Sequence, residues 1–144
     1  MTGLTVQSVR RTSPQLLDGL RGLLPQLSPA APALSADKLD DLIRRAGVTL
    51  VVAHRERQLL GALVLVAAPT LTGRRAWIED LVVDEGARGQ GVGTALVREG
   101  LRLAADAGAR TVELTSRPSR EAAHRLYRRL GFERRETSVY RFTG

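Results

Sequence analysis

The sequence lacks cysteine, long apolar runs and closely spaced histidines. Without cysteine the protein forms no disulfide and offers no thiolate to a metal ion. The two histidines, His54 and His124, do not have the spacing of metal ligands, so we expect no metal site. The longest apolar run, residues 59–69, contains a glycine and is too short to span a bilayer, so we expect no membrane partner.

Lysine and aromatic residues are scarce. Lys38 is the only lysine, so arginine carries nearly all of the positive charge behind the net charge of +7. A basic surface attracts anions such as nucleic acid, acidic lipid or a phosphorylated cofactor. The aromatic residues are one Trp, two Tyr and two Phe, which leaves few rings on which bases could stack. Nucleic-acid binding is therefore disfavoured.

The chain of 144 residues is long enough for one domain with a hydrophobic core. We find no linker and no internal repeat, and predict a single domain over residues 1–144. The N-terminus lacks a basic segment followed by an apolar run, which does not fit a signal peptide. This predicts a cytoplasmic location.

Helix and strand signals alternate along the chain. Ser13 with Pro14 and, further on, Ser35 predict helix N-termini, with a proline-rich loop from Pro25 between the two helices. A polar turn at residues 55–58 between two apolar stretches predicts a hairpin. We predict strands at 4–10, 48–54, 59–68, 76–83, 110–115 and, once or twice, within 132–142, and later helices at 92–107 and 120–130, the last capped by Ser119.

These elements predict a mixed sheet. The hairpin implies antiparallel pairing, whereas the strand-helix-strand order after residue 76 implies a right-handed crossover between parallel strands. A mixed sheet with helices on both faces follows, which is an α/β fold.

Residues 84–94 join an apolar strand to a helix and contain four glycines, from Gly86 to Gly93. Glycine permits positive φ angles and close approach of a ligand to the backbone. Backbone N–H groups at a helix N-terminus bind anions, and Arg88 adds a forked guanidinium suited to phosphate. The loop therefore favours a pyrophosphate ligand over the alternative of a turn with a packing role only.

Two other pyrophosphate-binding motifs do not fit this loop. The dinucleotide-binding fingerprint has a different glycine spacing and lies on the first strand-helix unit. The P-loop requires Gly-Lys followed by Ser or Thr, and the loop has no lysine.

Residues 77–84 followed by residues 88–93 resemble motif A of the GNAT family of N-acetyltransferases. Residues 123–132 resemble its motif B, a helix with a tyrosine four residues before Gly-Phe. The resemblance implies that family's fold, a mixed, mostly antiparallel sheet with a splayed central parallel strand pair and about four helices. It also implies an acyltransferase that uses acetyl-CoA as co-substrate and acetylates a primary amine by direct attack on the thioester.

The resemblance further implies where acetyl-CoA binds. Its pyrophosphate would lie on the glycine loop, and its pantetheine arm would bond to the backbone of the preceding strand. The implied cofactor-binding residues are Leu81, Val82, Val83, Arg88, Gly89, Gln90, Gly91, Val92, Gly93 and Thr94.

Tyr127 and Glu79 are the candidate catalytic residues. Tyr127 matches the family's motif B tyrosine, and a phenol with a pKa of about 10 keeps a proton to share with the leaving thiolate. On periodicity alone Tyr127 would be a core residue. Glu79 is the candidate base, because we expect it to be partly desolvated on a strand face with Trp77, Leu81 and Val83. By strand alternation its neighbour Asp80 would face the other way. The alternative for both carboxylates is a salt bridge to Arg74 or Arg75.

Two other functions stay open. One is a non-catalytic acyl-CoA-binding regulatory module on the same fold, and the other is a basic nucleic-acid-binding domain. The sequence does not identify the acceptor amine, which could belong to a small molecule or a protein. The Glu79-Asp80 pair is similar to amino-sugar-phosphate acetyltransferases, and the basic charge fits an anionic acceptor. The apolar C-terminal segment could pair across the subunits of a homodimer.

Overall fold

The computed structural model describes residues 3–144, so Met1 and Thr2, where the predicted domain begins, lie outside the described residues. The chain divides between Leu114 and Thr115 into two compact units. The first unit holds every described strand and the second holds one helix. The elements are β1 (Leu4–Ser8), α1 (Pro14–Leu27), α2 (Ala36–Arg44), β2 (Val48–Arg55), β3 (Gln58–Thr70), β4 (Gly73–Val83), α3 (Val92–Asp106), β5 (Thr111–Glu113) and α4 (Glu121–Arg129).

The first two helices begin where serine caps them. The hydroxyl of Ser13 accepts the N–H of Leu16 at 3.1 Å, and the hydroxyl of Ser35 accepts the N–H of Lys38 at 3.1 Å. Both predicted N-caps are confirmed. Helix α1 is longer than predicted, because Pro25 lies inside it and not in a loop. Proline there removes a helical hydrogen bond, and packing of Leu27 against the core offsets that loss.

The five strands form one sheet in the order β1-β2-β3-β4-β5. The first three pairings are antiparallel and β4 pairs with β5 in parallel. The parallel pairing covers only Arg75–Trp77 of β4, although β4 continues to Val83. The predicted fold, a mixed and mostly antiparallel sheet with one parallel strand pair, is thus confirmed, and this pair lies at the edge of the described sheet, where β5 ends at Glu113.

Helices pack on both faces of this sheet. On one face, leucines of α1 and α2 join inward strand residues in a single apolar cluster: Leu20, Leu23, Leu39, Leu50, Val52, Ala62, Val64 and Val82. On the other face α3 lies close, since a Cβ added at Gly100 would contact Ile78 and Leu63 at 3.6 Å. Burial of apolar surface on the two faces stabilises the folded unit by about 25 cal/mol for each Å² removed from water.

A β-bulge interrupts β4 between Glu79 and Val82. Val64 pairs with Glu79 and Ala62 pairs with Val82, so three steps along β4 match two steps along β3. The extra residue takes Asp80 to a φ of +54°, in the left-handed region where Asp is one of the few tolerated side chains. A bulge leaves one residue without a partner on the neighbouring strand. The side chains that follow it then point to the face opposite to the one that regular alternation predicts.

The second unit, Thr115–Gly144, contains α4 and the C-terminal segment. Helix α4 ends at Arg129, and Gly131 follows it with a φ of +95°, which lets the N–H of Phe132 reach the carbonyl of Tyr127 at 2.9 Å. The predicted cap by Ser119 is wrong, because the helix begins one residue later and Arg120 occupies the cap position without a side-chain bond.

The predicted final strands are also wrong, since residues 132–144 form no strand. Val139, Tyr140 and Phe142 in this segment are 76%, 91% and 93% exposed. Their β-branched and aromatic side chains suit a strand, but a strand requires a neighbour with a free edge to complete its hydrogen bonds.

Across residues 3–144, the helices are all too short or too polar to cross a lipid bilayer.

Candidate functional site

The glycine loop follows β4 and leads into α3 by way of a short 3-10 turn, Glu85–Ala87. Gly89 has a φ of +76° and Gly91, the N-cap of α3, has a φ of +83°. A Cβ at either glycine would meet no heavy atom within 4 Å. Glycine is therefore required here by backbone conformation and not by packing, and open space lies in front of the loop.

The N-terminus of α3 lies next to that space and carries backbone donors without a helical acceptor. The first helical hydrogen bond runs from Ala95 N–H to the Gly91 carbonyl at 3.0 Å. The N–H groups of Val92, Gly93 and Thr94 consequently have no acceptor within the helix. Val92 is 1% exposed and fixes this end of the helix against the core. Arg88 beside it is exposed, and a helix N-terminus with an adjacent guanidinium is the kind of group that binds a phosphate anion, so the pyrophosphate site stays a prediction.

Gln26 of α1 holds the start of the loop. Its side-chain Nε2 donates to Asp84 Oδ1 at 2.8 Å, and its Oε1 accepts the N–H of Glu85 at 2.9 Å. The amide thus satisfies a carboxylate oxygen and a main-chain donor at once. Because 58 residues separate Gln26 from Asp84, no local sequence pattern could have indicated this contact.

Gln90 turns back onto the loop. Its Nε2 donates to the Gly86 carbonyl at 3.2 Å, and its Oε1 accepts from Arg55 Nη2 at 3.4 Å. The side chain predicted to bind cofactor therefore braces the loop and links it to the end of β2. Sequence reasoning missed this role of Arg55 as it missed Gln26.

Replacing Gln26 with alanine is expected to lower the free energy of unfolding by about 1–2 kcal/mol, because one partly buried and one exposed hydrogen bond are lost. A looser loop should also weaken acetyl-CoA binding several-fold. Thermal unfolding and calorimetric titration measure the two effects. Gln15→Ala, on an exposed position of the same helix, is the control and should change neither. Equal behaviour of the two variants would show that Gln26 does not hold the loop.

The surroundings of Glu79 differ from the prediction. Cross-strand partners share a face, so Glu79 lies with Val64 and Val82 on the face covered by α1 and α2. Val83 lies on the α3 face with its partner Gly61. The predicted grouping of Glu79 with Trp77 agrees with the pairing of Trp77 with Val66, which packs against the same cluster. The grouping with Val83 is wrong, because the bulge shifts the facing of later residues.

Glu79 and Asp80 are both exposed, so the predicted partial desolvation of Glu79 is wrong as well. Regular alternation along a strand predicts that Glu79 and Asp80 point to opposite faces. That rule does not apply here, because Asp80 has the left-handed backbone conformation. In residues 3–144 neither carboxylate pairs with Arg74 or Arg75, so the salt-bridge alternative is excluded.

Tyr127 lies on α4, in the second unit, and is 8% exposed. Its ring packs against Phe132 with a centroid separation of 5.8 Å and an interplanar angle of 59°. Burial raises the pKa of the Tyr127 phenol, and the charge of Arg120 opposes the rise. The phenol therefore stays protonated at neutral pH, which is the state that an acid requires.

In the described part of the chain, no three His, Asp or Glu side chains are grouped so that they could hold a metal ion.

Comparison with known sequences extends these observations. The sequence model of the acetyltransferase (GNAT) family matches residues 17–132. Glucosamine 6-phosphate N-acetyltransferase of Trypanosoma brucei brucei is 36% identical over 124 residues, which cover 81% of this chain and 82% of that protein. Human N-acetyltransferase 8B is 34% identical over 113 residues, which cover 75% of this chain. The chain spans only 50% of the length of the human relative.

Solved structures share the fold. A Trypanosoma brucei acetyltransferase superposes with a TM-score of 0.80 at 28% identity, covering 97% of this chain and 99% of that one. An aminoglycoside N-acetyltransferase solved in complex with CoA has a TM-score of 0.79 at 18% identity, covering 97% and 94% of the two chains, and shows likeness of fold alone. The relatives are named as N-acetyltransferases, in agreement with the predicted class of enzyme, an acyltransferase.

Proposed function

Because this chain belongs to the acetyltransferase (GNAT) family, we propose that it transfers an acetyl group from acetyl-CoA to a primary amine by direct attack on the thioester. The observation that carries this proposal is the N-terminus of α3. There, two glycines with positive φ and open space beyond their Cα atoms lie beside three N–H groups that have no acceptor within the helix.

Acetyl-CoA fits the first unit in two places. Residues 88–94 would hold its pyrophosphate through the helix N-terminus and the Arg88 guanidinium. Beyond Trp77 the strand β4 no longer pairs with β5. The backbone of Leu81, Val82 and Val83 is then available to the pantetheine arm, in the manner of an added strand.

The bulge in β4 supports a role in the chemistry. Attack of an amine on the thioester creates an oxyanion, which a fixed backbone N–H stabilises. The bulge takes Leu81 out of regular pairing with β3, and we assign its N–H as the oxyanion donor. Bulges recur next to active sites because they redirect backbone and side-chain groups.

Glu79 is the proposed base. An alkyl amine is mostly protonated at neutral pH and must lose a proton before it attacks. Glu79 is exposed two residues before Leu81, so an amine or a bridging water can reach its carboxylate. Tyr127 is the proposed acid for the leaving thiolate.

The proposed acceptor is the amine of a small anionic molecule of the amino-sugar-phosphate class. The relative from Trypanosoma brucei brucei is named for glucosamine 6-phosphate, and a net charge of +7 attracts an anionic acceptor. Protein amines remain the broader class to be screened in parallel. A non-catalytic acyl-CoA-binding module is the alternative, and turnover decides between the two. We further propose a cytoplasmic location.

Free thiol release from acetyl-CoA in the presence of glucosamine 6-phosphate tests the proposal. Glu79→Gln is expected to lower kcat/KM about 100-fold, the usual contribution of a general base, while acetyl-CoA affinity stays unchanged. Asp80→Asn is the matched control, because Asn also tolerates the left-handed backbone, and it should retain most activity. A larger loss in Asp80→Asn than in Glu79→Gln would assign the base to Asp80. Absence of thiol release with every amine tested, despite acetyl-CoA binding, would favour the non-catalytic module.

We also propose that the protein forms a homodimer through its C-terminal segment. Val139, Tyr140 and Phe142 are large, apolar and almost fully exposed, and a second copy would remove them from water. Light scattering should show a dimer that Tyr140→Ser with Phe142→Ser converts to a monomer. A wild-type monomer at every concentration tested would contradict the proposal.

A further inference from the structure

A pocket of about 250 Å³ lies at the end of the sheet where β4 begins. It is lined by Thr72, Gly73, Arg74, Arg75, Arg110 and Thr111. In the described chain, none of the three arginines forms a salt bridge with a carboxylate. Their positive charge is therefore not neutralised from within the protein.

Arg110 is held in place over this pocket. Its main-chain N–H donates to the Arg74 carbonyl at 2.8 Å, and its Nη1 donates to the Thr72 carbonyl at 2.9 Å. A Cβ at Gly73 would lie 2.7 Å from Arg110 Cδ, so glycine is needed for the side chain to cross the turn. A guanidinium has five N–H donors, and most of those on Arg110 are left for a ligand.

We infer that this pocket binds a small molecule carrying a phosphate group. Guanidinium groups match the geometry of phosphate oxygens. Its volume is slightly below that of typical pockets for drug-sized molecules, about 300–1,000 Å³. The lining contains no aromatic ring, which disfavours single-stranded nucleic acid because bases bind by stacking.

The pocket is separate from the proposed acetyl-CoA site. Arg75 and Leu81, the nearest of the proposed cofactor-binding residues on β4, are six residues apart, which corresponds to about 20 Å along a strand. The glycine loop precedes α3, whereas Arg110 follows it, and a helix of this length spans about 22 Å. A phosphate in the pocket is thus a different ligand group from the pyrophosphate on the loop.

Titration of sodium pyrophosphate into ¹⁵N-labelled protein tests the inference. Backbone amide shifts of residues 72–75 and 110–111 report on the pocket, and those of residues 89–94 report on the loop, so the two sites are read separately. We expect saturable shifts at the pocket amides in the wild type. In Arg75→Gln with Arg110→Gln, the pocket Kd should rise at least about tenfold, as loss of a charge-assisted hydrogen bond implies, while the loop response persists.

Two further variants test whether weaker pyrophosphate binding results from altered structure around Arg110 or from a general loss of positive charge. Arg74→Gln with Arg75→Gln leaves both hydrogen bonds of Arg110 intact and should also weaken pyrophosphate binding at the pocket. Arg11→Gln, which removes one exposed charge before α1, should leave pocket binding unchanged. Absence of shifts at the pocket amides would overturn the inference. Equal affinity for pyrophosphate at the pocket in the wild type and in both double variants would overturn it as well. A response of these amides to duplex DNA but not to pyrophosphate would also overturn it.

Discussion

Replacing Gly91 with tryptophan is expected to weaken acetyl-CoA binding at least 100-fold. Gly91 is the N-cap of α3 with a φ of +83°, and space beyond its Cα is open. An indole there projects into the region where the pyrophosphate would bind, and the loss of two charge-assisted hydrogen bonds accounts for about 2.7 kcal/mol or more. Isothermal titration calorimetry with acetyl-CoA measures the loss.

A matched control separates ligand blocking from backbone strain. Gly108, after the other end of α3, has a φ of +78°, and a Cβ there would also meet nothing within 4 Å. Gly108→Trp therefore imposes the same left-handed strain, about 1–2 kcal/mol, away from the loop. It should bind acetyl-CoA like the wild type. Equal losses in both variants would mean that strain, and not the proposed site, explains the result.

Arg88→Ala is a milder change at the same site. The substitution leaves the backbone donors of α3 in place and removes only the guanidinium. We therefore expect the affinity for acetyl-CoA to fall about tenfold. If wild-type protein that is folded fails to bind acetyl-CoA, the proposed site is excluded.

The parts of the fold that the sequence predicted correctly depend on neighbouring residues. Ser13 and Ser35 cap helices through bonds to N–H groups three residues away. Gly89 and Gly91 take positive φ values that few other residues tolerate. Such features require no knowledge of distant residues, and they sufficed to place the loop between a strand and a helix.

The bulge in β4 could not be predicted from the sequence, because it depends on how β4 pairs with β3 and not on the residues of β4 alone. It appears only in the register of Ala62 and Val64 against Val82 and Glu79. Simple alternation of side chains along β4 therefore assigned Val83 to the wrong face. The same limitation affected the C-terminal segment, where the pattern of Val139, Tyr140 and Phe142 indicates strand propensity but cannot supply a partner.

The contacts of Gln26 show why the remaining loop geometry was missed. The amide reaches Asp84 and Glu85 only after α1 has packed on the sheet. Glutamine in a helix is ordinarily a solvent-exposed residue, so its residue type gives no signal. The candidate loop was thus readable from the sequence, but the residues that brace it were not.

Replacing Tyr127 with phenylalanine is expected to lower kcat about 100-fold, within the usual range for a general acid, with little change in the affinity for acetyl-CoA. Phenylalanine keeps the ring that packs against Phe132 at 5.8 Å and removes only the hydroxyl. Tyr140→Phe, at a residue that is 91% exposed, is the matched control and should retain full activity. Steady-state rates of thiol release compare the variants, and an unchanged kcat in Tyr127→Phe would assign Tyr127 to the core alone.

The pH dependence of Tyr127 provides an independent check on its surroundings. Burial raises the pKa of the phenol above its ordinary value of about 10. Between the unfolded and the raised folded pKa, the unfolded chain has lost the proton while the folded chain keeps it. The free energy of unfolding should consequently fall as pH rises through that window and be unaffected below it. In Tyr140→Phe, phenolate absorbance reports Tyr127 alone. A midpoint at or below the ordinary value would contradict the buried environment that keeps this acid protonated.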